Sequence, residues 1–464
     1  MYEKELYAIW AQQRFTQPIL QTIDGFTIRV IYPGHFNINC GPDFQGAKLV
    51  INGRIKQGDV ELHVAASDWK RHCHHTSSLY NNVILHVVYA TPKPGEDISG
   101  APILVLKEYM RVSHARAVRT EQLTTEHYLP CYALGLDPVY GTAQTGKIIY
   151  ALARERFRIK VNRIPDFWPG PARLQSLAWL KTYAHKNPDD FYCDLEEVLY
   201  ILLMYQMGIP YNVKNYLHIA RHTSYQTIRR VWQKKGMTGT DLKNQFLKIA
   251  GFSPAETDGL FPKLLGGALR PTDWNLYRLY PTTYPQRRLI ILAQCLYKSI
   301  PVGLLNELIS IARRTGGDAH SFRECIRILF SSPGKHQFSQ GTINSLTHNI
   351  FIPILAFYGV YRSDTALLRE AIRLYANYPK MHDNYIIRRI SRQLYRTEKI
   401  ARCFITKAYQ QQGMIRLYRQ FCKPLHCTQC GLAWREKDTM SEYTRQKRGI
   451  VKNELPAHRQ RLSN

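Results

Sequence analysis

Two acidic residues and one histidine near the N-terminus have the types and spacing that suit metal-dependent hydrolysis. Asp43 follows a Gly-Pro pair, while Glu61 and His63 lie in the segment 58–64. In that segment charged and apolar residues alternate strictly, which is the period of a half-buried β-strand. Glu61 and His63 therefore share one face of the predicted strand, and the apolar residues between them share the other.

A predicted hairpin brings Asp43 to the same place. Residues 47–51 form an apolar strand, and Asn52-Gly53 is a typical two-residue hairpin turn. The hairpin folds Asp43 back beside Glu61. Two carboxylates and an imidazole in one small area suit Mg²⁺ or Mn²⁺ and an activated water. The alternative is an ordinary solvated strand face that carries charged residues.

The surrounding elements follow in a simple order. The pattern predicts a helix over 3–15, strands over 27–32, 47–51 and 58–64, a helical turn after Ser67, and an interior strand over 83–89. This order, over about the first 90 residues, resembles the PD-(D/E)XK nuclease core. The resemblance implies an α+β fold with a restriction-endonuclease-like αβββαβ core. Helical periodicity after about residue 110 and the spacing of the C-terminal cysteines predict that a large α-helical region and a small Cys-rich metal module follow it.

The nuclease resemblance also implies roles for individual residues. Pro42-Asp43 and Glu61-Leu62-His63 match the motif, and Glu3 matches an accessory acid of the first helix. In the superfamily the acids bind one or two magnesium ions, and a lysine positions or activates the attacking water. Here His63 replaces that lysine, and an imidazole is no permanent cation at neutral pH. Lys48 on the hairpin is the nearest candidate for the cationic role.

The chain further resembles an uncharacterised bacterial protein family with no established activity. The matching segments are Asn39–Phe44, Gly58–His63, Asp68-Trp69, His72-Cys73-His74, Tyr80-Asn81-Asn82 and Leu85–Val88.

A group of histidines suggests a different metal. His72, His74 and His86, together with His63, have the donor type that zinc or iron prefers. Zinc bound there predicts a zinc-dependent hydrolase rather than a magnesium enzyme. Other interpretations stay open: His86 also suits a hydrogen-bonded core position, and His72 and His74 suit phosphate contacts. If their segment is helical, His72 and His74 point to different sides.

The C-terminal cysteines predict a second metal site. Cys427 and Cys430 are separated by two residues and followed by Gly431, as in a zinc knuckle, and Cys422 adds a third thiolate. Cys403 or His426 is the predicted fourth ligand. Structural zinc is the first interpretation, an iron–sulfur cluster the second, and unligated reduced thiols the third.

The charge of the chain predicts a polyanionic partner. The 464 residues carry a net charge of +28. Residues 1–112 contribute +1 and the remainder +27. Such an excess is typical of proteins that bind nucleic acid, here DNA or RNA. The leading function is a metal-dependent nuclease. A catalytically inactive nucleic-acid-binding or scaffold protein on a nuclease-like core is the alternative.

The composition also predicts the organisation of the chain. We expect a nuclease-like domain (1–112), a basic helical region (113–400), a Cys-rich module (401–434) and a flexible basic tail (435–464). No apolar run reaches the ~18 to 20 residues of a membrane span. The N-terminus lacks a signal-peptide pattern, and ten cysteines without a secretion signal suit a reducing cytoplasm. Four of them lie near the C-terminus, and the six scattered ones, Cys131 among them, are interpreted as ordinary packing residues.

Overall fold

A computed structural model describes most of the chain. The described residues are 2–93, 99–110, 123, 125–129, 131–132, 134–136, 141–168, 177–253, 260–261, 267–276, 279, 283–331 and 337–432. The predicted basic tail, 435–464, lies outside them.

Seven strands form one sheet within the described residues. They are β1 (Leu20–Gln21), β2 (Thr27–Tyr32), β3 (His35–Phe36), β4 (Phe44–Ile51), β5 (Arg54–His63), β6 (Val83–Val88) and β7 (Ile103–Val105). The main strand order is β1-β2-β4-β5-β6-β7, and β3 pairs with β4. The pairs from β1 to β5 are antiparallel, whereas β5, β6 and β7 are parallel.

The remaining described chain is mainly helical. The α-helices are α1 (Glu3–Ala11), α2 (Asp68–Arg71), α3 (Gly141–Asn162), α4 (Leu177–Lys186), α5 (Pro188–Gly208), α6 (Val213–His222), α7 (Tyr225–Lys235), α8 (Gly239–Ile249), α9 (Pro285–Ser299), α10 (Leu304–Thr315), α11 (Ala319–Leu329), α12 (Gln340–Leu346), α13 (Ile352–Tyr361), α14 (Thr365–Asn377), α15 (Tyr385–Tyr395), α16 (Glu398–Phe404) and α17 (Ala408–Leu417). The predicted mixed α+β organisation, a sheet followed by helices, is confirmed.

The β4–β5 hairpin forms as the sequence predicts. Asn52 and Gly53 adopt φ values of 48° and 76°, and Ile51 pairs with Arg54. Positive φ at both central residues gives the turn whose twist matches that of the flanking strands. Gly58 is required by packing, since a Cβ there would lie 2.4 Å from Ile84 Cγ2 and 2.6 Å from the Asn82 carbonyl oxygen. The glycine thus permits the close approach of β5 to β6.

Helix α1 packs its apolar side on the sheet. Leu6 and Trp10 are fully buried together with Phe44, Val60 and Leu62. The Trp10 indole N–H donates to the Pro33 carbonyl oxygen at 2.9 Å, which satisfies its polar group inside the core. This core holds the hairpin that carries the predicted acids.

The chain divides into two compact units that interleave along the sequence. One comprises the described parts of 1–149, 384–404 and 414–464, and the other those of 150–383 and 405–413. The sheet, α15, α16 and the C-terminal cysteines all belong to the first unit. Cys403, Cys422, Cys427 and Cys430 therefore lie in the same compact unit as the predicted nuclease-like domain, whereas residues 405–413 of the predicted Cys-rich module belong to the other unit.

One long apolar helical stretch lies in the second unit. Gln340–Tyr361 is long and apolar enough to cross a membrane, and the bent pair of α9 and α10 would pass as a second span if counted as one. In Gln340–Tyr361, 78% of the apolar window is buried inside the structure. Such burial is typical of the core helix of a soluble protein.

Candidate metal centre

Asp43 and Glu61 lie side by side because the β4–β5 hairpin pairs the backbone segments that carry them. The Asp43 backbone N–H donates to Glu61 Oε2 at 2.9 Å. The Leu62 backbone N–H donates in return to Asp43 Oδ2 at 3.0 Å. The structure thus brings the two predicted acids together and fixes each carboxylate on the neighbouring strand.

These carboxylates bind protons more readily than ordinary ones. Burial, followed by the nearby Glu3 carboxylate, raises the pKa of Glu61 to about 8 against the opposing hydrogen bond from Asp43. Burial and the charge of Glu61 raise the pKa of Asp43 well above its usual range. The Tyr7 hydroxyl hydrogen-bonds Asp43 and lies 3.5 Å from Glu3 Oε2. A divalent cation would stabilise this gathering of acidic groups.

Two imidazoles contact the other side of the Glu61 carboxylate, and a third lies next to them. Glu61 Oε1 lies 3.0 Å from His74 Nε2 and 3.4 Å from His63 Nε2. Possible ligand nitrogens of His63, His72 and His74 all lie within 4.8 Å of one another. Within the part of the chain that the structure describes, these three histidines form the group whose donor atoms are close enough together to hold one metal ion. Glu61 therefore joins the carboxylate pair to the histidine group.

A break in the helix after β5 makes His72 and His74 converge. Helix α2 ends at Arg71, and Cys73 adopts a left-handed conformation with φ 59° before a short 3₁₀ turn, His74–Thr76. A continuous helix would have sent the two side chains to different sides. The His74 ring then stacks on Tyr80, with ring centroids 3.8 Å apart. His72 and His74 were predicted to point to different sides only if their segment is helical, and the chain does not form a helix there.

His63 is held as a neutral imidazole rather than a cation. Its Nδ1 lies 2.9 Å from His86 Nε2 in a buried hydrogen bond. Burial, and then the neighbouring His86, His74 and His72, lower the pKa of His63 to about 2. A neutral ring with one nitrogen fixed presents the other to a metal, as ligating histidines do. His86 thus lies in the core, as one interpretation predicted, and orients His63.

The face of β5 that carries Glu61 and His63 is covered. Glu61 is 4% exposed and His63 1% exposed, although the strict alternation predicts a solvated face. Trp69 packs against His63 and His86, with ring centroids 6.5 and 5.2 Å away. The centre still opens to solvent at His72, which is exposed.

Lys48 does not join the carboxylates. Its ammonium group lies near the Cys427 thiol, where it opposes the rise in the pKa of Cys427 that burial causes. No ion pair between Lys48 and Asp43 or Glu61 occurs among the described residues. The cationic role suggested for Lys48 therefore finds no support in its position.

Part of the chain matches one protein family, and no activity is known for that family. Residues 3–170 match a family described as a protein of unknown function (DUF2851). No curated protein and no solved structure matches the chain. The match agrees with the resemblance to an uncharacterised family, and the nuclease resemblance stays a prediction.

Cys131 lies near the C-terminal cysteines, although the sequence did not predict that it would. Gln393 Nε2 on α15 donates to Cys131 Sγ at 2.9 Å and lies 3.6 Å from Cys422 Sγ. Cys131 is also close enough to Cys427 and Cys430 for their charges to raise its pKa, which burial raises most, to about 12. The two other predicted ligands, Cys403 on α16 and His426, are exposed.

Two residues next to these sites, Cys131 and Tyr7, were not predicted from the sequence. Cys131 is far from the other cysteines along the chain, so no spacing marks it as a ligand, and it was interpreted as a packing residue. Tyr7 offered a weak signal, since it lies one helical turn after Glu3 and on the same side of α1.

Proposed function

We propose that the first unit is a metal-dependent nuclease that cleaves phosphodiester bonds in DNA or RNA. One observation carries the proposal: a single buried carboxylate, Glu61, contacts two imidazoles through Oε1 and the Asp43 backbone through Oε2. The carboxylates predicted to bind magnesium and the histidines predicted to bind zinc therefore belong to one centre. The net charge of +28 favours a polyanionic substrate.

The donor set fits a first-row divalent metal. Imidazole nitrogens suit Zn²⁺ and related ions, whereas Mg²⁺ prefers oxygen ligands alone. Glu61, His63, His72 and His74 would hold the ion. We therefore favour Mn²⁺ or Zn²⁺ over the Mg²⁺ that the nuclease resemblance implies. When bound, such an ion lowers the pKa of an attacking water and neutralises charge on the phosphate.

The protein's own groups divide the remaining work. Asp43 is fixed beside Glu61 by the Leu62 backbone N–H, and burial and the charge of Glu61 raise its pKa above the usual range, so its carboxylate would accept the proton of the attacking water. His86 keeps His63 in one orientation through their 2.9 Å hydrogen bond. Tyr7 holds Asp43 in place and separates it from Glu3.

The test is a cleavage assay with three substrates. Purified protein is incubated with plasmid DNA, single-stranded DNA and RNA in the presence of Mn²⁺, Zn²⁺ or Mg²⁺. We expect metal-dependent cutting that Glu61→Gln reduces at least ~100-fold, as loss of a metal ligand does. Glu108→Gln makes the same chemical change at an exposed position of the same unit and should leave cutting intact.

Two results would decide against this function. Absence of cutting for every substrate and metal would refute it. Salt-sensitive nucleic-acid binding without cutting would favour the scaffold alternative, because counterion release needs charge but no active site.

We also propose that Cys131, Cys422, Cys427 and Cys430 bind a structural zinc ion. The Gln393 amide group lies next to both Cys131 and Cys422, and the charges of Cys427 and Cys430 act on Cys131. No three of these four sulfur atoms, all of which belong to described residues, lie within 4.8 Å of one another, so an ion would have to draw them together. Four thiolates match the donor set of closed structural zinc sites, and an iron–sulfur cluster is the alternative occupant. The ion would link the C-terminal segment to the region around Cys131 within the first unit.

A further inference from the structure

A cavity of about 580 Å³ lies in the first unit beside the candidate metal centre. One wall consists of residues from β4 and β5, including Gln45 and Asp59, and the other of α15 and residues 418–425. The volume is in the range of cavities that hold small ligands. Asp59 precedes Glu61 by two residues on β5, so the cavity begins roughly 7 Å along the strand from the metal centre.

Arg389 is a buried cation on the wall of this cavity. It is 2% exposed, and its Nη2 lies 3.1 Å from the Tyr32 hydroxyl oxygen. The guanidinium group packs over the Tyr418 ring at 5.2 Å. Its Nε finds no hydrogen-bond partner within the described chain, and none of the ion pairs there includes Arg389. A buried charge without a counter-ion is costly unless an anion joins it.

The other charged groups of the cavity strengthen its positive field. Arg419 and Lys423 line the opening and are exposed. Asp59 is the acidic residue of the lining, and its Oδ1 already accepts the Gly46 backbone N–H at 2.9 Å. Burial, followed by the Arg389 cation, lowers the pKa of His35 well below its usual range, so His35 adds no charge. Three cations therefore face one engaged carboxylate.

We propose that this cavity is a phosphate-binding site built around Arg389, Arg419 and Lys423. Guanidinium groups bind phosphate oxygens through paired N–H donors, and a lysine adds a flexible point charge. The phosphate belongs either to a nucleic-acid backbone or to a small phosphorylated ligand. The backbone source rests on the proposed nuclease function, whereas the site itself does not.

The experiment titrates inorganic phosphate into the full-length protein by calorimetry. EDTA is present, and chloride keeps the ionic strength constant, so the result is independent of the metal centre and of cleavage. We expect saturable binding that Lys423→Gln weakens about tenfold, the effect of losing one charge-assisted hydrogen bond. Lys399→Gln, a change at another exposed lysine of the same unit, should bind like the wild type.

Arg389→Lys provides a second variant, since it keeps the charge and loses the guanidinium fork. Circular dichroism and thermal unfolding show whether it folds, and a folded variant should bind phosphate at least about tenfold more weakly. Lack of saturable binding to the wild type, or equal binding by Lys423→Gln, would overturn the site.

A competition arm identifies the source of the phosphate. A short single-stranded DNA is added to the phosphate-saturated protein, still with EDTA. Displacement of phosphate assigns the cavity to a nucleic-acid backbone. Binding of phosphate that the oligonucleotide leaves unchanged assigns it to a small phosphorylated ligand.

Discussion

Acidification should weaken divalent-metal binding at Glu61, because a proton competes with the ion for the same carboxylate. Burial and Glu3 raise the pKa of Glu61 to about 8, so the apo protein holds this proton at neutral pH. The pKa of His63 is lowered to about 2 and that of His74 is also lowered, so neither ring supplies a competing proton. Displacing one proton costs about 1.4 kcal/mol for each pH unit below 8. Metal affinity should therefore be about 50-fold lower at pH 6 than at pH 8, where about half of the Glu61 carboxyl groups are already ionised.

The assay is calorimetric titration of Mn²⁺ in pairs of buffers with different ionisation enthalpies. The wild type should release about one proton per ion at pH 6.5 and fewer above pH 8.5, once Glu61 is ionised. Glu61→Gln should bind the ion weakly and lose the pH dependence, whereas Glu108→Gln should retain both affinity and slope. A wild-type affinity that stays constant from pH 6 to pH 8 without proton release would refute the reasoning.

Two further predictions test other parts of the molecule. Cys131→Ser should lower the zinc content, measured by mass spectrometry, by about one ion per chain. Cys403→Ser should keep the zinc content of the wild type. Equal losses of zinc in the two variants would contradict the assigned ligands. Burial raises the pKa of Glu196 from about 4.5 to about 7, so the second unit should lose on the order of 3 kcal/mol of stability as the pH rises from about 4.5 to about 7. In urea unfolding at pH 8, the free energy of unfolding of Glu196→Gln should exceed that of the wild type by this amount, and at pH 4 the two proteins should be equally stable. An equal difference at both pH values would show that the Glu196 charge is not responsible.

Local sequence patterns predict the sheet because its strands follow local rules. Alternation over 59–64 predicts β5, the Asn52-Gly53 pair predicts the hairpin turn, and the apolar run over 83–88 predicts an interior strand. The solvated face predicted for β5 is instead covered by Trp69 and the residues that follow it. The helical turn that carries Trp69 was predicted, but four residues are too few for a periodicity that shows which surface the turn covers.

Long-range contributions escape the same reasoning. Residues 384–404 and the cysteines near 427 join a unit formed mainly by residues 1–149. The spacing of Cys427 and Cys430 is a local motif, but no spacing connects these residues with Cys131, and none marks Arg389. The convergence of Asp43 and Glu61 was predictable only because one hairpin separates them.

The replacement of lysine by His63 has a consequence for how a nucleic acid would bind. In the nuclease pattern the lysine places a positive charge beside the scissile phosphate, but His63 is buried, neutral and hydrogen-bonded to His86. Lys48 lies near Cys427 instead. In the proposed nuclease the positive charge would then come from the proposed metal ion and from the cations of the neighbouring cavity, Arg389 and Lys423. On this reasoning Lys423→Gln should weaken binding of the substrate more than it slows cleavage of the bound strand.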